Sequence, residues 1–143
     1  MWGVAALVFF CDLLVKGYLR HNLAFQSIPV IKNIFHITVV FNTGAAFGVL
    51  QGKTTFIIYI TVLFILWLFI FLRKEKQIKP KFAIPYGLIF GGALSNLYDR
   101  LLLGYVVDYI DLRVWPVFNL SDTCITIGIG LLLIYSFRPQ KQS

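Results

Sequence analysis

The feature that most constrains this chain is the stretch from Thr54 to Leu72, which contains no charged residue at all. A helix that crosses a bilayer needs about 20 apolar residues, so this stretch predicts a membrane-spanning helix. Three further apolar runs are Trp2 to Leu19, Phe82 to about Leu97 and about Cys124 to Phe137. The last two reach spanning length when they extend to Leu103 and back to Asn119. The sequence therefore predicts four spanning helices, at about 2–19, 54–72, 82–103 and 119–137, within one domain covering residues 1–143.

The composition supports a lipid-facing exterior. Charged residues make up 13% of the chain and hydrophobic residues 59%, whereas a soluble domain is about a quarter charged. The net charge of +7 raises the question of nucleic acid. The basic residues lie between apolar runs, however, and do not form a patch with interleaved aromatic residues, so we expect no nucleic-acid partner.

The distribution of basic residues predicts the orientation in the membrane. The segment Arg73 to Lys81 carries five cations against one acid, and the tail after Phe137 adds Arg138 and Lys141. By the positive-inside rule both segments are cytoplasmic. Four spans then place both termini in the cytoplasm, and the segments 20–53 and 103–118 face outward.

The first outward segment contains a predicted strand. Residues Ile34 to Phe41 are rich in β-branched and aromatic side chains, which favours extended structure. Asn42, Thr43 and Gly44 follow and form a predicted turn, because Asn and Gly suit turn positions. We expect a small β element at the membrane surface.

Acidic residues are few and fall on one side of this topology. Five of the six map to the outer half: Asp12, Asp99, Asp108, Asp111 and Asp122. A charge at bilayer depth costs at least about 2.5–3.5 kcal/mol, so each is expected to be paired or functional. Asp12 and Lys16 are one helical turn apart and can pair. Asp99 could neutralise the adjacent Arg100, and direct substrate contact is the alternative for these acids.

Two of the five acids have no basic residue within four positions. They are Asp108 and Asp122. Asp111 has Arg113 two residues later, and we predict that these two form a solvated ion pair in an exposed loop. If the carboxylates of Asp108 and Asp122 meet in a partly dry site, they share a proton. Such a pair can activate a water as base and protonate a leaving group as acid.

Amide side chains and one cation flank the same positions. Asn42 ends the predicted strand, Asn96 and Arg100 are four apart on one helix face, and Asn119 precedes Asp122 by three. They either hold substrate carbonyls and the loops around them or satisfy backbone groups at helix ends. Gly87, Gly91 and Ser95 recur every four residues and predict a face for close helix packing.

Other chemistries lack their residues. No phosphate-binding glycine loop and no His and Cys cluster with metal-ligand spacing occurs in the sequence, so we expect neither metal nor cofactor. Cys11 and Cys124 lie in apolar stretches and read as small buried side chains.

Five motifs in order resemble those of the bacterial lipoprotein signal peptidases, also called type II signal peptidases. They are DLLVK at 12–16, FNTGAAF at 41–47, GGALSNLYDR at 91–100, GYVVDY at 104–109 and FNLSD at 118–122. Ser95 replaces a common Gly of the family and Ser121 a common Ala, and both changes are small.

The resemblance implies an all-α membrane protein with four transmembrane helices, an extracytoplasmic β-cradle and a short outer helix. It implies an aspartic endopeptidase of the bacterial cytoplasmic membrane, with its active site near the outer face. That enzyme cleaves prolipoproteins just before a diacylglyceryl-modified cysteine, needs no oligomer and is inhibited by globomycin. The motifs map the catalytic pair to Asp108 and Asp122, and the residues that support or contact substrate to Asn42, Gly44, Asn96, Arg100 and Asn119. Asp12 and Lys16 would brace the site.

Two other classes of membrane protein are alternatives. A small transporter or lipid-binding protein would use intramembrane acids for ions or protons, but it would place them near the bilayer midplane. A non-catalytic assembly subunit would leave the outer polar cluster unexplained.

Overall fold

Four helices and one small sheet make up the computed structural model, which describes residues 1–44, 50–74 and 79–137. The helices are α1 (Trp2–Leu23), α2 (Thr54–Lys74), α3 (Pro80–Leu103) and α4 (Leu120–Phe137). The strands are β1 (Ser27–Ile31), β2 (Phe35–Asn42) and β3 (Val106–Asp111). Parts of the predicted cytoplasmic segments, residues 75–78 and those after Phe137, lie outside the described residues, as do positions 45–47 of the second motif.

All four predicted apolar segments form helices. Within the described residues, α1, α2 and α4 are each long and apolar enough to cross a membrane. Helix α3 is longer, but it carries Lys81 near its start and Asp99 and Arg100 near its end. It begins with proline in its first turn, where no N–H partner is lost. It ends at Gly104, whose positive φ closes the helix with an N–H bond to the Arg100 carbonyl.

Helix α3 lies at the centre because its small residues let two neighbours approach its backbone. A Cβ added at Gly87 would lie 2.7 Å from the Met1 carbonyl oxygen at the start of α1, and one at Gly91 would collide with Ala5. On another side, a Cβ at Gly92 would lie 2.7 Å from the Ser121 carbonyl oxygen of α4. The predicted close-packing face is confirmed, because the backbone of α3 lies directly against the first turns of α1.

The three strands form an antiparallel sheet in the order β1-β2-β3. The strand predicted at 34–41 is confirmed as β2, one residue later at each end. Pairing of Val40 with Asp108 and of Asn42 with Val106 sets the end of β2 beside β3. The inner face packs on α1 through a cluster of Leu19, Val39, Val107 and Tyr109. The short outer helix that the resemblance implies does not occur among residues 1–44, 50–74 and 79–137.

Candidate functional site

The two acids without basic neighbours in sequence line one cavity. Asp108 lies on β3, and Asp122 lies in the first turn of α4. The cavity has a volume of about 740 Å³, and Asn42, Asn96 and Arg100 contribute to the same wall. The fold thus brings together residues from β2, α3, β3 and α4 that are up to 80 positions apart in the chain.

Asp108 accepts hydrogen bonds from two amides. Asn42 Nδ2 donates to its Oδ2 at 2.8 Å and Asn119 Nδ2 to its Oδ1 at 2.7 Å. Asp108 as a whole is 2% exposed. Burial, and then the negative charge of Asp122, raises the pKa of Asp108 to about 7. Asp108 can therefore hold or release a proton near neutral pH, as acid-base catalysis requires.

Asp122 is held by Asn119, the residue just before α4. The Asn119 backbone N–H donates to Asp122 Oδ2 at 3.3 Å, and the Asp122 N–H donates to Asn119 Oδ1 at 2.8 Å. This reciprocal pair is a capping box built from Asn and Asp. Asn96 Nδ2 donates to the other carboxylate oxygen at 2.8 Å. Asn119 thus donates to both carboxylates, from its side chain to Asp108 and from its backbone to Asp122.

Arg100 connects this wall to the end of β2. Its Nη2 donates to the Gly44 carbonyl at 2.9 Å, and the Gly44 N–H donates to Asn42 Oδ1 at 2.9 Å. The predicted turn at 42–44 is therefore an Asx turn. Arg100 Nε is buried and has no hydrogen-bond partner in the described part of the chain. Asp99 forms its ion pair with Lys16 instead of with Arg100.

A buried ionic layer lies behind the cavity wall. Lys16 Nζ is 2.7 Å from Asp12 Oδ2 and 3.0 Å from Asp99 Oδ2, which confirms the predicted Asp12–Lys16 pair and adds a third member. Asp12 has no exposed surface and Lys16 is 2% exposed. Such charges stay in place only when their remaining hydrogen-bonding capacity is met.

Three hydroxyl groups meet that need at Asp12. Ser95 donates to Asp12 Oδ2 at 2.7 Å and Ser121 at 2.6 Å, and Tyr109 donates to Oδ1 at 3.3 Å. The two serines are the positions that depart from the family motifs, so both departures supply donors to one carboxylate. Burial, and then the charge of Asp12, raises the pKa of Tyr109, which keeps its hydroxyl protonated. The role of Tyr109 was not apparent from the sequence.

The interpretation of Asp111 as a solvated residue in an exposed loop is wrong. Asp111 ends β3 and is 5% exposed. Thr38 Oγ1 on β2 donates to it at 2.8 Å, and the predicted partner Arg113 does so at 3.0 Å. Burial alone would raise the pKa of Asp111, but these hydrogen bonds outweigh it and lower the pKa overall. Asp111 thus joins β2 to β3.

The remaining cavity wall is largely apolar. Phe118 exchanges backbone hydrogen bonds with Ile110, and this bridge folds the segment 112–118 over the edge of β3. That segment contributes Trp115, Pro116 and Phe118, and α4 adds Ile125 and Ile127. The cavity therefore pairs a polar, acidic end with apolar walls, which suits a substrate of mixed character. No cluster of three His, Cys, Asp or Glu side chains able to hold a metal occurs within the described residues.

Comparison with known proteins gives consistent matches along the whole chain. A family model described as signal peptidase (SPase) II matches residues 4–138. The lipoprotein signal peptidase of Halothermothrix orenii is 45% identical over 139 residues, covering 96% of this chain and 95% of that protein. That of Moorella thermoacetica is 45% identical over 130 residues, covering 90% and 87%. A solved structure of a bacterial membrane enzyme superposes with a TM-score of 0.86 at 34% identity, covering 98% of this chain and 92% of the other.

Proposed function

The chain belongs to the signal peptidase II family, and on that premise we propose that it removes signal peptides from prolipoproteins with Asp108 and Asp122 as its catalytic pair. The substrate is a prolipoprotein whose cysteine already carries diacylglycerol, and the cut falls just before that cysteine. The single observation that carries the assignment is that the two acids line one cavity and that Asn119 bonds to both.

The proposed reaction uses a water and one shared proton. The ionised carboxylate takes a proton from the water as its oxygen attacks the carbonyl carbon before the modified cysteine. The protonated carboxyl donates to the carbonyl oxygen, which gives a tetrahedral intermediate. When the peptide C–N bond breaks, the carboxyl that took the proton from water passes it to the leaving amine. The other carboxylate takes back a proton from a hydroxyl of the intermediate, which restores the starting state of the pair. The raised pKa of Asp108, about 7, supports a pair that holds one proton at neutral pH.

The supporting residues have separate roles in this proposal. Asn42 and Asn119 orient Asp108, and Asn96 orients Asp122. Arg100 lines the cavity, and its bond to the Gly44 carbonyl holds the turn after β2 against α3. Asp12 and Lys16 brace the wall from behind. The free Arg100 Nε–H points to a contact with a substrate oxygen.

The proposed placement is a multi-pass protein of the bacterial cytoplasmic membrane, folded as one domain with four spans. Both termini are cytoplasmic, and the catalytic pair lies near the outer face. The apolar character of α1, α2 and α4 supports the membrane spans. The basic residues between α2 and α3 support the orientation by the positive-inside rule. The acyl chains of the substrate lie in the bilayer beside the apolar walls. A monomer suffices, and globomycin inhibits.

The direct test is incubation of the purified protein with a diacylglyceryl-modified prolipoprotein. Release of the signal peptide, seen as a mass shift of the product, is the expected result. A matched sample of Asp108→Asn protein should release none. Absence of cleavage by the folded wild-type protein would refute the proposed activity and favour a transport or lipid-binding role.

A further inference from the structure

Lys16 is connected to both acids of the proposed catalytic pair through hydrogen bonds of the side chains around it. Its ammonium group is enclosed by three side-chain oxygens, from Asp12 at 2.7 Å, Asn96 at 2.8 Å and Asp99 at 3.0 Å. Three acceptors match the three hydrogens of an ammonium group. The side chain is 2% exposed, so the ammonium group takes its partners from the protein and not from bulk water.

The contact with Asn96 fixes the orientation of two amides. Lysine can only donate, so the Asn96 atom at 2.8 Å must be its oxygen, and its NH₂ group then faces Asp122. The same oxygen accepts one hydrogen of Asn119 Nδ2 at 3.1 Å, and the other hydrogen goes to Asp108 at 2.7 Å. One ammonium group therefore determines which amide atoms meet both carboxylates.

The two ion pairs act on the backbone around the same carboxylates. Asp99 Oδ2, held by Lys16, accepts the N–H of Val107 at 3.2 Å, and Val107 precedes Asp108. Asp12, also held by Lys16, accepts from Ser121, which precedes Asp122. It also accepts from Tyr109, which follows Asp108 and whose oxygen in turn accepts the N–H of Leu120 at 3.2 Å.

Taking the proposed catalytic pair as given, we infer that Lys16 is a positioning residue that sets the mutual orientation of Asp108 and Asp122. It does so by fixing the polarity of the Asn96 and Asn119 amides and by anchoring the chain beside each acid. This role is distinct from bracing, because a neutral side chain of equal volume would preserve the packing and lose the orientation.

The charge of Lys16 adds an electrostatic effect on the pair. Burial and Asp122 raise the pKa of Asp108, and Lys16 opposes them by favouring the ionised form. The other titratable or charged groups around this layer are Asp12 and Cys11 of α1, Asp99 and Arg100 of α3, Tyr109 of β3, and Asp122 and Cys124 of α4. Removing the lysine charge alone raises the pKa of Asp108 and so favours its protonated form.

The first test is the Lys16→Met protein assayed on modified prolipoprotein. We expect kcat to fall by about 100-fold, the size of effect that misplaced catalytic groups produce, with a smaller change in KM. The acidic limb of the pH profile should move to higher pH. Lys32→Met is the matched control, because Lys32 is an exposed lysine on the β1–β2 hairpin, and it should leave both readouts unchanged.

The second variant separates orientation from charge and from folding. Lys16→Met combined with Asp12→Asn removes one charge of each sign, a change that buried ion pairs often tolerate better than loss of one partner. Its kcat should stay low while its pH profile returns toward that of the wild type. Lys16→Arg, which keeps the charge and the donors, should recover part of kcat.

The outcomes distinguish this inference from the proposed function. Wild-type kcat in either folded methionine variant, or an unchanged pH profile in Lys16→Met, would overturn the role of Lys16 and leave the catalytic pair intact. Cleavage by a folded Asp108→Asn protein would overturn the pair itself, whatever the lysine variants show.

Discussion

Replacing the paired acids singly and together tests whether they act as one unit. The variants are Asp108→Asn, Asp122→Asn and the double change. Asparagine is close to aspartate in size, but it cannot exchange the proton that the reaction needs. A general acid or base contributes about 10²–10⁴-fold to a rate. Because either change removes both the base and the acid function of the pair, we expect each single variant to lose about 10³-fold or more in kcat.

The structure also sets the stability of these variants. Asp108 accepts one amide donor on each oxygen, from Asn42 and Asn119. Asparagine offers one acceptor oxygen, so one donor would face an NH₂ group. Leaving a buried donor without a partner costs about 1–3 kcal/mol of unfolding free energy. This loss lowers the melting temperature but leaves a folded protein, so activity and folding can be measured separately.

The assay follows release of signal peptide at saturating substrate, with thermal melts on the same samples. If the acids act as a unit, the double variant is barely slower than either single variant, because the rate losses of residues that act together are not additive. Asp111→Asn is the control, since Asp111 bonds to Thr38 and Arg113 and not to the pair. It should lose stability and keep most of its activity. Full cleavage by a folded single variant, or losses that multiply in the double variant, would refute the reasoning.

Three further predictions concern pH, substrate and topology. The pKa of Asp108 in the folded protein, about 7, lies above its ordinary 3.8. The stability that protonated Asp108 contributes is therefore complete below about pH 4 and is lost as the pH rises through 7. Thermal melts of Asp108→Asn at a series of pH values should lack this part of the pH dependence of stability. Each buried CH₂ of the lipid contributes about 0.8 kcal/mol, so unmodified precursor should be cut far more slowly, and equal rates would contradict the proposed substrate. An impermeant thiol reagent should label Lys53→Cys but not Ser143→Cys in intact cells; outside labelling of residue 143 would reverse the proposed orientation.

Local sequence patterns predicted the features that depend on residues close together in the chain. The run from Thr54 to Leu72 is apolar on every side and forms α2, which ends at Lys74. The pair of Asp12 and Lys16 follows from helical spacing alone, and its ion pair is present. The strand at 34–41 was apparent because β-branched and aromatic residues fit a pleated, half-buried surface, and most of β2 is half-buried.

Contacts between distant segments could not be predicted in this way. Strand β3 is buried along almost its whole length and β1 is exposed along all of it, so neither alternates as a half-buried strand does. Asp111 was misplaced because its partner Thr38 is 73 residues away. Nothing in the order of residues indicates that Lys16 and Asp99 meet. The five motifs located the candidate site, whereas its hydrogen bonds depend on the tertiary fold.

The Asp12–Lys16 pair has a consequence for the order in which the protein is built. A single charge in the bilayer costs about 2.5–3.5 kcal/mol on insertion scales. Because these two residues lie one turn apart on α1, that helix carries its own counter-ion and needs no other helix to match its charges. Asp99 forms its ion pair with a residue of another helix. Helix α1 precedes α3 along the chain, so the ribosome makes the cation before the second acid that pairs with it.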